Sequence, residues 1–308
     1  MQFIVYIQLN IFMLKSKALR NIEKLNPQKD AWEIVRLSMH YEFPWDFNRA
    51  LELSLYKTYA VPSIAKTLST TNELTKRTQK RYDDTDLILS EIIEYGIEDK
   101  NGRGWRALQQ MNFIHSKFNI SNDDYLYVLG TFIFGIYDWI NLYGYRKLIP
   151  SEELAGFYVW KEIGEQMFIK DIPDSFDEFR KFYDEYEIKN FKYTPQGASI
   201  AHATENLMLS WVLPNKHLYE SGRPFLHAAM PPHLLKAFNH KEPGTALRTL
   251  VTQFLRTRSK TANLLFRDKP YIRTRDHYYP TYPNGYDIEK LGPTKLIDTI
   301  EENKKKYK

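Results

Sequence analysis

Apolar residues recur at helical spacing through most of the chain, and the alternation expected of strands is rare. Between residues 82 and 95, Leu87, Ile88, Ile92 and Ile93 fall on one helix face. Gly96 follows them where a C-terminal cap is expected. The pattern therefore predicts an all-α protein.

Start and stop residues place further helices. Pro44 suits the first position of a helix that ends at Pro62. Ser121 stands three residues before Asp124, as in a capping box. The other predicted helices cover residues 31–43, 105–118, 154–167, 176–191, 198–213 and 245–266. In the last of these we expect Leu250, Val251, Phe254 and Leu255 to face inward and the basic residues to face solvent. The aromatic, proline-rich stretch that follows predicts a segment that wraps over the body.

Two apolar segments raise the question of a membrane. Residues 1–14 carry no charge, but a helix of ~14 residues is ~21 Å long, short of the ~30 Å hydrocarbon core. An interfacial anchor and a buried helix both remain open for this segment. Lys15, Lys17 and Arg20 follow it, which favours the cytoplasmic side if it inserts.

The second apolar segment runs from residue 125 to residue 145, where only Asp138 and Asn141 are strongly polar. Its length suits a membrane span, but the polar helices predicted on either side favour a helix buried in a large core. With no repeat or linker visible, we divide the chain into a hydrophobic N-terminal segment, residues 1–20, and a single helical domain, residues 21–308.

Composition narrows the chemistry. The 308 residues are 43% hydrophobic and 15% aromatic, which suits the walls of a flat cofactor site or ordinary aromatic packing. The net charge of +5 is interspersed along the chain and indicates no nucleic-acid surface. Because there is no cysteine, iron–sulfur clusters and a cysteine-ligated haem are excluded. The sequence also lacks a P-loop, a GxSxG elbow and an HExxH motif.

One of the eight histidines stands out by its neighbours. Leu108, Met111 and Phe118 share a helix face with His115. A neutral imidazole there can offer one nitrogen to a metal, although a histidine packed in a core gives the same pattern.

Three stretches together carry a resemblance to a known family: KRYDDT at residues 80–85, residues 101–130, and GYRKLIPSEE at residues 144–153. They resemble the ER-bound oxygenases of mycophenolic acid biosynthesis, in the superfamily of rubber oxygenase, the latex-clearing protein. The similarity continues through WKEIGEQMFIKDIP at residues 160–173 and into the late helix and tail. It covers nearly the whole chain from about residue 25.

The resemblance implies an all-α single domain that encloses a b-type haem. Latex-clearing proteins have a proximal histidine, with an arginine and a threonine four residues apart about thirty residues upstream of it. His115 matches the axial iron ligand, and Arg81 and Thr85 match the pocket pair, to which we assign catalytic roles. Arg103 and Arg106 are further candidates to bind the haem propionates, and Arg146 is a weaker one, although the pattern favours solvent-facing arginines.

Two positions depart from the latex-clearing pattern. Those proteins use a lysine immediately before the threonine as a distal ligand, and this chain has Asp84 there. Their catalytic glutamate corresponds by spacing to Ala65. The acid–base part of their mechanism is therefore not carried over to this chain.

The implied activity is a haem-dependent oxygenase that cleaves a C=C bond of a lipophilic, isoprenoid-type substrate with dioxygen. Its location would be cytoplasmic or membrane-associated on the cytoplasmic side, with residues 1–14 as the membrane contact. Two alternatives remain open. One is a haem protein without oxygenase turnover, such as a sensor, carrier or peroxidase-like protein. The other is a metal-free, membrane-associated helical module in which His115 is only packed.

Overall fold

The computed structural model describes residues 15–306 apart from 267, 269 and 272, and in this part of the chain every regular element is a helix. The α-helices are, in chain order, α1 (Lys17–Ile22), α2 (Ala31–Leu37), α3 (Pro44–Thr58), α4 (Pro62–Ser69), α5 (Glu73–Lys76), α6 (Thr78–Tyr95), α7 (Arg103–His115), α8 (Asn122–Tyr143), α9 (Pro150–Gln166), α10 (Phe176–Asn190), α11 (Pro195–Ser210), α12 (Tyr219–Ala228), α13 (Pro232–Ala237), α14 (Thr245–Phe266) and α15 (Thr294–Lys306). A π-helical turn spans Ser38–Glu42, and 3-10 turns span Lys216–Leu218, Thr274–Asp276 and Ile288–Lys290. The predicted all-α class is confirmed.

Helix α8 is the central helix of the fold. It is buried on nearly every face and packs most extensively against α3. The two helices approach closely at Gly135, where an added Cβ would lie 2.1 Å from the Oγ of Ser54. That hydroxyl donates to the carbonyl oxygen of Thr131 at 2.8 Å. The prediction of a buried core helix is confirmed, and among the described residues no helix is both long enough and apolar enough to cross a bilayer.

Helices α6 and α7 form a packed pair that carries the predicted site residues. Helix α6 ends at Tyr95, and Gly96 follows it with φ of +70°, as its predicted role as a cap requires. Helix α7 begins two residues earlier than predicted, because Gly102 is already its extended N-cap. It ends at His115 rather than at Phe118, since the chain leaves the helix in a turn after Ser116.

Helix α14 has the predicted bounds but only part of the predicted inward face. Leu250 is 60% exposed and Phe254 is 67% exposed, so the expectation that both face inward is wrong. Leu255 is buried and Val251 is partly buried, as predicted, and Ser259 is buried on the same helix. The helix also brings Arg258 over the ring of Trp45, with 3.7 Å from the guanidinium carbon to the ring centroid. A cation–π contact of this kind lets an arginine occupy a face that hydrophobic periodicity assigns to solvent.

The segment after α14 lies along α6, as the predicted wrapping implies. Tyr279 donates to Asp86 at 2.7 Å, Tyr282 donates to Asp84, and Tyr286 donates to Glu91. Three tyrosines therefore bond successive carboxylates of one helix. The segment ends in α15, which the sequence pattern did not predict.

Candidate active site

A largely apolar cavity lies between α6, α7 and α8. Its volume is about 230 Å³, counted as the space open to the centre of a water molecule. Arg81, Thr85 and His115 all line this cavity. Apolar residues from the surrounding helices form most of its wall, among them Ile88, Leu89, Met111, Ile114, Phe118, Ile120, Val128, Leu129, Phe132 and Trp160. The structure thus brings the three predicted residues together at one apolar space. That space suits a flat hydrophobic group or a hydrocarbon chain.

His115 is the last residue of α7 and borders the cavity with its ring. The ring meets Tyr125 edge-on at a centroid distance of 5.8 Å. Its Nδ1 atom is buried and has no hydrogen-bond partner. Burial, and then the nearby charge of Arg81, lower the pKa of His115 to about 4, so the imidazole is neutral at neutral pH. Leaving a buried nitrogen unpaired costs about 1–3 kcal/mol, so a neutral ring of this kind is well placed to bind a metal.

Arg81 and Thr85 lie one turn apart on α6. Nη1 of Arg81 donates to Oγ1 of Thr85, and that hydroxyl donates to the carbonyl oxygen of Arg81 at 2.8 Å. Arg81 is the single cation among the described residues that line the cavity. Within the described chain its side chain bonds a hydroxyl rather than a carboxylate. A guanidinium has five N–H donors, so Arg81 retains donors for an anion or an oxygen acceptor in the cavity.

Glu52 of α3 also lines the cavity, and sequence analysis missed it. The carboxyl group is buried, and its Oε1 accepts hydrogen bonds from Tyr82, at 2.7 Å, and from Arg49. Burial raises the pKa of Glu52 to about 7, although the charge of Arg49 opposes the rise. The sequence does indicate that Glu52 faces the protein interior, because it precedes Leu55 and Tyr56 by three and four residues and so shares their apolar helix face.

The two departures from the latex-clearing pattern have distinct surroundings. Ala65 is buried in α4 and does not line the cavity. Asp84 does line it, and accepts hydrogen bonds from Lys80, at 2.7 Å, and from Tyr282. Burial raises the pKa of Asp84. Lys80 also donates to the carbonyl oxygen of Gly292 at 2.8 Å. Through Lys80 and Tyr282, Asp84 therefore helps to connect α6 with the C-terminal segment.

Comparison with known proteins shows the family. The model of the family described as "ER-bound oxygenase mpaB/B'/Rubber oxygenase, catalytic domain" matches residues 57–259, which include Arg81, Thr85 and His115. The chain belongs to this family. It is therefore an oxygenase, and the alternatives without oxygenase turnover lose their support.

Two curated relatives agree with this assignment. The ER-bound oxygenase mpaB' of Penicillium brevicompactum is 25% identical, over 86% of this chain and 78% of its own length. The ER-bound oxygenase mpaB of Penicillium roqueforti (strain FM164) is 26% identical, over 70% of this chain and 76% of its own length. Both relatives are named as ER-bound. The corresponding expectation here concerns residues 1–14, which lie outside the described residues.

The arginines predicted to bind propionates lie elsewhere in this oxygenase. Arg103 forms a bidentate ion pair with Glu91, with 2.8 Å between Nε of Arg103 and Oε2 of Glu91. Arg106 pairs with Glu289, at 2.7 and 2.8 Å. Arg146 bonds two buried glutamates, at 2.7 and 2.6 Å. None of the three lines the cavity, so Arg81 is the cation that the described structure offers to an anionic group there.

A second group of metal-binding side chains lies outside the cavity. Glu205, His227 and His240 each offer one ligand atom, and these atoms lie within 4.8 Å of one another. Sequence analysis treated these histidines as isolated residues. Their separations along the chain match no local metal-binding motif, and only the packing of α11, α12 and the turn after α13 unites them.

Proposed function

We propose that this oxygenase holds a b-type haem through His115 and uses dioxygen to cleave a C=C bond of a lipophilic, isoprenoid-type substrate. The observation that carries the proposal is the neutral His115 ring, which has an unpartnered buried Nδ1 and borders an apolar cavity that Arg81 and Thr85 also line. The spacing of these three residues along the chain is that of the latex-clearing proteins.

The residues of the cavity fit a haem on two counts. A neutral histidine is an ordinary axial ligand of haem iron, and the low pKa of His115 keeps the ring unprotonated through the physiological range. Arg81 is a cation without a carboxylate partner in the described chain and suits a propionate or an oxygen acceptor. When bound, a ferrous haem would activate dioxygen, and the C=C bond that is cleaved would supply the electrons that reduce it.

The protein's own residues have separate roles in this proposal. The apolar wall, with Phe132 and Trp160, binds the hydrocarbon chain and excludes water. Thr85 fixes the position of the Arg81 guanidinium through Nη1. Glu52 holds a proton on its carboxyl group up to a pH near 7 and so provides an acid–base group in the cavity wall, although Ala65 provides none.

Optical spectra of the full-length protein test the haem proposal. We expect a Soret band, and a pyridine haemochrome typical of haem b. In His115→Ala we expect loss of the band with the helical circular dichroism retained. His202→Ala is the matched control, because His202 is exposed on α11 and should leave the band unchanged. A Soret band of equal intensity in His115→Ala would rule out this axial ligand.

Oxygen uptake tests the reaction. We expect consumption of dioxygen with a farnesylated or polyisoprenoid substrate and cleavage products that carry new carbonyl groups. A saturated analogue of the same chain length is the control, because it binds the apolar wall but has no C=C bond. Equal oxygen uptake with both compounds would contradict alkene cleavage.

We further propose that residues 1–14 attach the enzyme to the cytoplasmic face of a membrane. The relatives' names and the uncharged sequence support this, and the basic residues from Lys15 onward favour that side. Deleting residues 1–14 should move the protein from the membrane fraction to the supernatant. An unchanged distribution between these fractions would contradict the proposal.

A further inference from the structure

The group formed by Glu205, His227 and His240 has the donors and the spacing of a metal site. Oε1 of Glu205 lies 3.0 Å from Nε2 of His227 and 3.0 Å from Nε2 of His240. Tetrahedral zinc with bonds of 2.0–2.1 Å places its ligand atoms about 3.3 Å apart. Both distances from Glu205 are therefore within a few tenths of an ångström of that spacing, and the ligand atoms of the three residues all lie within 4.8 Å of one another.

Hydrogen bonding alone does not account well for this arrangement. Tyr56 donates to the same Oε1 at 2.5 Å, and Nε2 of each histidine lies 3.0 Å from it, so three polar groups crowd one oxygen. A carboxylate oxygen offers two lone pairs and cannot accept a hydrogen bond from all three groups. The imidazoles of His227 and His240 are also stacked, with centroids 4.2 Å apart. A cation between the two Nε2 atoms resolves the excess, because each ring then presents a lone pair there and keeps its proton on Nδ1.

The electrostatic surroundings favour a cation despite the presence of an arginine. Arg223 bonds the other oxygen of Glu205, and it also pairs with Glu220 at 2.8 Å. Glu220 therefore balances the charge of Arg223. Arg223 supports Glu205 as outer partners commonly support metal-binding carboxylates.

The site is closed to substrate but open to metal exchange. Glu205 is fully buried, His227 is 6% exposed, and the side chain of His240 is 19% exposed. None of the three lines the cavity, which the neighbouring Thr204 does. Two histidines and a carboxylate also bind non-haem iron in oxygenases, but that role requires open positions facing the substrate. The placement behind the cavity wall favours a structural ion.

We propose that Glu205, His227 and His240 bind a structural zinc ion that joins α11, α12 and the turn after α13. The hydroxyl oxygen of Tyr56 in α3 lies 3.4 Å from Nε2 of His240. It is positioned to complete the four-coordination of the zinc ion, either directly or through water. The ion would hold this layer against α3, which forms part of the cavity wall. The proposal concerns a site separate from the proposed haem, so either can fail without the other.

Metal analysis of the full-length protein tests the site. We expect one equivalent of zinc per chain by mass spectrometry after gel filtration in zinc-containing buffer. Chelator-treated protein should bind Co²⁺ with the visible absorption bands of a four-coordinate ion. Zinc should also raise the thermal midpoint, because an ion that binds only the folded state stabilises it.

Glutamine variants separate a metal site from a hydrogen-bonded cluster. In His227→Gln and His240→Gln the amide can still donate to Glu205, but the imidazole ligand is lost. Zinc affinity should fall by more than about 100-fold, beyond the 10–100-fold cost of losing an outer partner. His233→Gln is the matched control, because Nε2 of His233 bonds a different carboxylate, Oε2 of Glu187, at 2.6 Å.

Three results would overturn the proposal. The first is wild-type protein that binds neither zinc nor Co²⁺ and has the same thermal midpoint with and without chelator. This result does not depend on whether the variants fold. The second is equal zinc binding by the glutamine variants and the wild type. The third is stoichiometric non-haem iron in place of zinc.

Discussion

Replacing Glu52 with glutamine should stabilise the protein, and the gain should appear only as the pH rises. The folded state holds the pKa of Glu52 at about 7, against 4.5 in an unfolded chain. Because the pKa is higher in the folded state, the carboxyl group ionises at a lower pH in the unfolded chain. As the pH rises between the two pKa values, the unfolded state is therefore stabilised relative to the folded state. At higher pH this linkage costs the wild type about 3 kcal/mol, from 1.36 kcal/mol per pKa unit. Glutamine mimics the neutral carboxyl group and avoids the cost.

Thermal unfolding at two pH values measures this effect. At about pH 4.5 the wild type and Glu52→Gln should differ little, while at about pH 8.5 the variant should be more stable by about 3 kcal/mol. For a chain of this size that corresponds to a rise of ~6 °C in the midpoint, at ~2 °C per kcal/mol. Glu185→Gln is the control, since its carboxylate is 68% exposed. A difference between wild type and Glu52→Gln that is the same at both pH values would refute the reasoning.

Two further pairs of variants test the packing around the cavity. Gly135→Ala should destabilise the fold by about 1–3 kcal/mol, because its Cβ would lie 2.1 Å from a serine Oγ of α3. Gly156→Ala, with no atom within 4 Å of its Cβ, should be neutral or stabilising by up to about 1 kcal/mol; urea unfolding that ranks these two variants equally would contradict the packing. Lys57→Met should cost about 3–5 kcal/mol, because it removes a buried cation 2.8 Å from the Glu187 carboxylate. The pKa of Glu187 is lowered to about 2, since bonds to His233 and Lys57 outweigh its burial, so this loss should be full above about pH 4.5 and shrink as the pH falls toward 2. Lys161→Met, at a surface pair, should cost less than about 1 kcal/mol, and an equal loss in both lysine variants by urea unfolding would contradict the burial argument.

Local patterns were enough to predict most of the longer helices and the position of His115 on one of them. Caps such as Ser121, whose hydroxyl accepts from the backbone N–H of Asp124 at 3.1 Å, act within four residues and are visible in the sequence. The apolar neighbours of His115 at three, four and seven residues likewise define a helix face without tertiary information. The family resemblance then connected Arg81 and Thr85 with that histidine, and the structure brings all three to one cavity.

Contacts between distant segments were not visible in this way. Part of the face of α14 was predicted wrongly, and Arg258, expected in solvent, finds an aromatic partner in Trp45, more than two hundred residues away. Arg103 and Arg106 looked free to reach a propionate, since their partners Glu91 and Glu289 belong to other elements. The ligands Glu205, His227 and His240 come from three separate segments, so no spacing rule joins them.

Contacts between distant segments also explain why the cavity contains a carboxyl group although the position that matches the latex-clearing glutamate holds Ala65. A side chain can reach the cavity from any surrounding helix: Glu52 of α3 lines it, whereas Ala65 of α4 does not. Asp84 has a structural role instead, because with Lys80 and Tyr282 it joins α6 to the C-terminal segment, whose Gly292 and Pro293 line the cavity. An aspartate engaged in this way is unsuited to act as a distal ligand, since its oxygens already accept hydrogen bonds from both partners. Arg81 and Thr85, which line the same cavity as His115, bond each other and not the C-terminal segment.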